Sequence, residues 1–255
     1  MELTPEPDER SAATGTAQVA TSARTAELAA GWEAAQREVA AAAWAAGRQP
    51  DEVRIVVVTK TWPVSDVAAL ATLGVTEVGE NRLPELRDKR AELAAAATLR
   101  WHFLGQLQTN KAKQVAALAD QIDTVDRPRL VDVLGKAIAD SPRTLDVLLQ
   151  VNLDPSAQDQ HRGGCAPDAA RAVADRISAT DGLRLRGVMG MAPLGGDATQ
   201  AFALLAQVAQ GVAADHPGAT EISAGMSGDF AAAIAAGATH VRLGTAILGV
   251  RGKVG

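Results

Sequence analysis

Eight short apolar runs alternate with longer amphipathic stretches along most of the chain, and this alternation restricts the fold more than any other feature. The runs cover residues 53–58, 77–79, 101–104, 122–125, 145–151, 185–191, 221–223 and 240–243. Between them, helical patterns fall at 64–73, 83–96, 110–120, 128–139, 167–178, 199–214 and 229–236. Runs that are apolar on both faces belong to buried strands, and strands separated by helical crossovers pair in parallel. Eight such units in 255 residues predict an α/β fold, a single TIM-type (β/α)8 barrel, because a closed barrel of this kind takes about 250 residues. An open doubly wound sheet is the alternative. It would carry a Gly-x-Gly-x-x-Gly turn after its first strand, and none follows residue 58.

An alanine-rich segment, residues 25–47, carries Glu27, Trp32, Glu33, Arg37 and Trp44 and ends at Gly47, so an extra N-terminal helix is expected before the first strand. Helix caps are expected at Ser65, at Asp126 with Pro128 in the first turn, and at Ser227. Residues 1–20, rich in Glu, Pro, Ser, Thr and Ala, read as a disordered tail, leaving 21–255 as the barrel domain. The tail has no apolar segment of the kind a signal peptide needs, and no stretch approaches the ~20 apolar residues of a membrane span. A net charge of −5 without a polybasic run gives no reason to expect a nucleic-acid partner. The lone Cys165 rules out a disulfide within the chain and fits a reducing cytoplasm.

In a barrel of this type chemistry gathers at the carboxyl ends of the strands. Lys60 closes the run Ile55-Val56-Val57-Val58-Thr59-Lys60. A partly desolvated amine there is available for addition to a carbonyl or an aldehyde; the plainer role is a strand-end lysine that reaches water. The seventh strand end supplies Ser223, Gly225, Met226, Ser227 and Gly228, and the eighth supplies Gly244 and Thr245. Hydroxyls together with glycines that let backbone N–H groups approach closely suit a phosphate, and barrels often bind phosphate at these two ends. Ordinary caps and tight turns would use the same residues. Both loops together, opposite a strand-end lysine, favour a phosphorylated ligand.

Taken in order, Val57-Val58-Thr59-Lys60, Val78-Gly79-Glu80-Asn81, Trp101-His102-Phe103-Leu104-Gly105, Leu107-Gln108-Thr109-Asn110-Lys111 and Val125-Asp126-Arg127 resemble the pyridoxal 5′-phosphate (PLP) homeostasis proteins, the YggS or PROSC family. Gln150-Val151-Asn152, Gly187-Val188-Met189, Gly225-Met226-Ser227-Gly228-Asp229-Phe230 and the run from Val241 to Gly249 continue the resemblance, which covers about residues 25–252. That family has the barrel of the alanine racemase N-terminal domain. The resemblance implies that Lys60 holds PLP as an internal aldimine. It also implies that Ser223, Gly225, Met226, Ser227, Gly228, Gly244 and Thr245 surround the phosphate, that Asn81 and Met189 contact the ring, and that Arg242 faces the pyridine nitrogen. Methionine is equally at home as adaptable core filler, and Glu80 reads as ordering the strand end. Thr59 stands where serine is usual, Arg82 where tyrosine is common, Gln106 where histidine or serine is common, and Ala224 where methionine often lies. None of these removes a group that the aldimine needs.

An arginine has no acceptor and keeps its charge, so a ring nitrogen facing it stays unprotonated and the cofactor is a weaker electron sink. The expected function is therefore a monomeric carrier or buffer of PLP, with PLP-requiring apoenzymes as partners and no robust turnover. The alternative is a PLP-dependent amino-acid racemase. Alanine racemases take their second base, a tyrosine, from a C-terminal β-domain, whereas this chain has no tyrosine and its barrel elements run to residue 248. His102, His161 and Cys165 are the substitutes on offer. His102 lies inside the third strand, where a core histidine is as natural; His161 and Cys165 go with the loop at 154–164, at the rim. A third reading, a cofactor-free aldolase-type Schiff base on Lys60, gives Arg242 no task.

Overall fold

The strand pairing closes on itself. In the computed structural model, which describes residues 20–93, 99–154 and 163–250, eight parallel strands pair in sequence order and the eighth returns to the first. They are β1 (Arg54–Val58), β2 (Glu77–Glu80), β3 (Arg100–Phe103), β4 (Gln121–Val125), β5 (Leu145–Asn152), β6 (Leu183–Met191), β7 (Glu221–Ser223) and β8 (His240–Leu243). Closure runs from Arg54 opposite His240 to Val57 opposite Leu243. Every expected strand is present, with its ends moved by no more than two residues. β1 stops at Val58, where the expected run 53–58 also ends, so Lys60 stands two residues past the strand instead of closing it.

The helices are α1 (Ser22–Ala45), α2 (Val64–Thr72), α3 (Leu83–Glu92), α4 (Ala112–Leu118), α5 (Pro128–Ile138), α6 (Ala170–Ser178), α7 (Ala198–Asp215), α8 (Phe230–Ala235) and α9 (Thr245–Leu248). Their apolar faces cover the strands. In α5, Leu130, Val131, Leu134 and Ile138 are buried, the spacing of a single helical stripe. The expected caps are corrected. Helix α2 is preceded by Pro63 and has Ser65 in its first turn; α5 is preceded by Arg127 and α8 by Asp229. Pro128 opens α5, and because a proline keeps the residue before it out of the helical region, the cap moves to Arg127. Asp126 instead pairs with Arg127 at 2.5 Å and accepts the Gly164 N–H at 3.2 Å.

The extra helix forms as expected. Leu28, Ala35, Val39 and Ala43 of α1 are buried against α2, α8 and α9, beside the seam where β8 meets β1. Arg24 fastens that seam, pairing with Asp66 at 2.9 Å, donating to the Leu248 carbonyl at 3.0 Å and lying 4.8 Å over the Trp62 ring. Residues 1–19 of the expected tail, and the end of the helix expected to reach residue 96, lie outside the described residues.

At the amino end of the barrel, carboxylates and arginines from neighbouring strands neutralise one another. Glu77 receives Arg54 at 3.1 Å, Asp146 receives Arg184 at 2.5 Å and also Arg100, and Glu221 receives Arg186 at 2.7 Å. Above this ring a column of buried polar groups runs along the axis. His102 stands 3.2 Å from Glu77 and 3.1 Å from Asp123; Ser223 Oγ donates to Asp123 at 3.3 Å and accepts from Arg242 at 2.9 Å. Among the described residues no helix is long and apolar enough to cross a membrane.

Candidate functional site

The carboxyl end of the barrel opens into a cavity of about 510 Å³, within the usual range for small-molecule sites. Lys60 stands on one side. It is exposed rather than partly desolvated, because it lies beyond β1 where the chain turns: the Trp62 N–H bonds the Thr59 carbonyl at 3.1 Å, and Thr61 takes a φ of 67°. Thr59 beneath it is fully buried, and its hydroxyl donates to Glu80 at 2.6 Å. Glu80, also fully buried, receives Lys89 Nζ at 2.6 Å. Burial raises the Glu80 carboxyl above the ordinary range despite the opposing pull of Lys89 and Thr59. Glu80 therefore orders the strand end, as the sequence suggests.

Across the cavity lie Met226, Ser227, Gly228, Gly244 and Thr245. The turn that carries Met226, Ser227 and Gly228 is held by Asp229, whose carboxylate accepts the Met226 N–H at 2.6 Å while the Met226 carbonyl accepts from Asp229 and Phe230. Gly225 has φ 91°, and a Cβ there would come within 2.7 Å of Phe230 Cα; no other residue folds this turn so tightly. Gly225 thus shapes the turn, and Ser223 lies buried below it, bonded to Arg242 and Asp123; neither lines the cavity. Ser227 and Thr245, which carry hydroxyls, line the opening together with Gly228 and Gly244. No turn or loop hydrogen bond among the described residues takes up the Ser227 or Gly228 N–H.

The floor is Arg242, 4 % exposed, which donates to Ser223 and, at 3.0 Å, to the Gly190 carbonyl. Burial lowers its pKa from the free guanidinium value, opposed by Asp123 and Asp229. The column below it is charged. Burial alone would lower His102, but Asp123 and Glu77 outweigh it and raise the imidazole to about 9. Burial likewise works against the Glu77 carboxylate, and His102 overcomes it, holding Glu77 at about 2. Asp123 is lowered in the same way, against burial, chiefly by His102. His102 is fully buried and does not line the cavity.

The remaining wall is polar and incompletely bonded. Gly105 packs on the loop of Asn81, where a Cβ would come within 2.1 Å of the Asn81 carbonyl. Asn81 Oδ1 is buried without a hydrogen bond. So is Gln150 Oε1, whose amide is oriented by donation to the Gly163 carbonyl at 2.9 Å. Met189 is buried and lines the cavity together with Met191. Buried acceptors left unbonded are costly in a finished interior. Cys165 is not at the rim: it is buried, pairs beside β5 at Val151, and its thiol is pushed up to about 11 by burial first and Asp126 second. His161 lies outside the described residues. The sequence reading did not single out Gly163, Glu85 or Lys89. Glu85 and Lys89 are four residues apart, which places them on one helix face, but nothing local says that this face meets the loop after β1.

In this closed barrel a lysine, two glycine- and hydroxyl-bearing loops and a buried arginine surround one opening, and residues 33–252 match the family described as Alanine racemase, N-terminal domain. A Mycobacterium tuberculosis protein, the pyridoxal phosphate homeostasis protein, is 40% identical over 246 residues, covering 89% of this chain and 94% of the relative. An unknown protein from Bifidobacterium adolescentis superposes with a TM-score of 0.82 at 32% identity, over 90% of this chain and 98% of the other. PipY of Synechococcus elongatus, with PLP bound, superposes at 0.75 and 31% identity, over 87% and 100%. The chain belongs to the pyridoxal phosphate homeostasis protein family.

Proposed function

We propose that this protein binds PLP at the barrel mouth, held by a covalent bond from Lys60 Nζ, and serves PLP homeostasis as a monomeric cytoplasmic carrier or buffer without robust turnover. The observation that carries the reading is the single cavity that gathers Lys60, Asn81, Met189, Ser227, Arg242 and Thr245. Its residues fit the group: an amine on one side, hydroxyl and N–H donors on the other, and between them a buried cation and unbonded amide oxygens. When bound, PLP supplies an aldehyde that condenses reversibly with amines and a ring that withdraws electrons. Lys60 provides the amine. The Ser227 and Thr245 hydroxyls and the N–H groups of their turns receive the phosphate, while Arg242, which has no proton acceptor, stands at the floor for the ring nitrogen.

The same cavity argues against turnover. Apart from Lys60 and Arg242, none of its described lining residues is an acid, a histidine, a cysteine or a lysine, so among the described lining residues Lys60 is the one candidate for acid–base work.

Purified protein given PLP should develop a visible absorption band, and borohydride should fix one cofactor mass on the peptide containing Lys60. Lys60→Ala should show neither. A wild-type protein without the band would overturn the binding reading. Solvent deuterium entering an amino-acid α-carbon at ~1–1000 per second would replace the carrier with a racemase. Transfer of PLP to an apoenzyme, followed by recovery of that enzyme's activity, tests the carrier role directly.

A further inference from the structure

The loop that presents Lys60 is gripped from behind by helix α3. Residues 59–62 form a turn closed by the Trp62 N–H on the Thr59 carbonyl, with Lys60 second and Thr61 third. Thr61 has φ 67°, as the third residue of a type II turn requires, a place where glycine or asparagine is usual and a β-branched residue is strained. The amide between Lys60 and Thr61 is the central peptide of that turn, and its N–H donates to Glu85 Oε2 at 2.5 Å. One turn further along α3, the buried Lys89 donates to the Thr59 carbonyl at 2.8 Å and to Glu80 at 2.6 Å, and lies 3.7 Å from Glu85. Both neighbours of Lys60 are thus held by side chains of one helix.

From this we infer that Glu85 is a positioning residue for Lys60: by accepting the Thr61 N–H it locks the central peptide of the turn in its strained orientation and fixes the backbone that carries the amine. Without that acceptor the peptide relaxes toward a type I turn, with Thr61 at negative φ and the backbone at Lys60 rotated. A bond that only fastened α3 to the barrel would not need a strained residue beside the reactive lysine, since Lys89 and Glu80 already do the fastening. The inference rests on the proposed role of Lys60 and deepens it.

Glu85→Ala should weaken formation of the PLP band roughly tenfold, as expected when about a tenth of molecules remain competent. Its unfolding midpoint should change little. Glu85→Gln keeps an acceptor and should stay within about threefold of wild type. Thr61→Gly removes the strain, so in the double variant Glu85→Ala should cost much less than it does alone, a coupling that separates positioning from simple damage. The inference is overturned if Glu85→Ala binds PLP like wild type per folded molecule, or if Glu85→Gln and Glu85→Ala fail equally with Thr61→Gly giving no rescue. Exchange of the Thr61 amide, read by NMR without cofactor, is a separate arm. It should speed up at least tenfold in Glu85→Ala, and an unchanged rate overturns the lock even if wild-type protein forms no band. A missing band in wild type sinks the PLP reading alone.

Discussion

The two ends of the barrel use charge in opposite ways. At the amino end, Arg54, Arg100, Arg184 and Arg186 each meet a carboxylate among Glu77, Asp146 and Glu221. At the carboxyl end, neither Lys60 nor Arg242 has a carboxylate within ion-pairing distance among the described residues, and amide oxygens of Asn81 and Gln150 lack hydrogen bonds. Paired ions hold the strands together at the amino end, whereas the described residues offer Lys60 and Arg242 at the carboxyl end no carboxylate partner. The contrast separates the end that holds the ring closed from the end proposed to receive PLP.

The comparison can be broken from either side. The largest effect should come at the open end: Lys60→Ala abolishes the covalent PLP band while leaving the thermal midpoint within a few degrees, checked by absorbance and calorimetry on the same sample. Next is the column joining the two ends. His102 is raised to about 9 from an unfolded value near 6.5, so its contribution is complete below pH ~6.5 and lost as pH rises through 9, on the order of 3 kcal/mol in all. Denaturant titrations across pH 6–9 should show that decline, and His102→Gln should flatten it. On the acid side, Glu77, held at about 2, keeps its contribution above pH ~4.5 and loses it as pH falls toward 2. The smallest effect belongs to the closed end. Asp146→Asn frees Arg100 and Arg184 into water and should lower stability by about 1–2 kcal/mol without changing PLP affinity; a parallel loss of affinity would erase the distinction between the ends.

How much of this is legible in the sequence depends on how local each signal is. The strands are, because runs such as Val56-Val57-Val58 and Leu148-Leu149 are apolar on both faces and are bounded by polar residues. The cradle is nearly so, since serines, glycines and a threonine crowd two short loops. Helix caps were misplaced at Ser65, Asp126 and Ser227, although the helices begin within one residue of the expected starts, because a proline or the fold of a turn, not the nearest polar side chain, fixed the capping position. Ser223 and Gly225 belong to the right loop, but pleat and turn point them beneath the cavity, and one sequence position carries no such direction. Lys60 was read as a strand end, whereas β1 stops at Val58 and the chain turns through Thr61, whose left-handed backbone no residue preference for threonine foretells. The grip of Glu85 and Lys89 on that turn comes from another crossover unit. It exists only once the helix has packed, so periodicity has no access to it.

Closure of the ring also sets an order of events during synthesis. Arg24 and Leu248, joined across the seam, are 224 residues apart, and β1 finds its second neighbour only when residues 240–243 arrive. Contacts this distant in the chain form late and slowly. Until β8 leaves the ribosome, β1 has a bare edge and the inner face of α1 has no α8 or α9 to cover it. A nascent chain of this protein therefore passes most of its time on the ribosome with its first strand half-paired, a window in which edge-to-edge aggregation competes with folding.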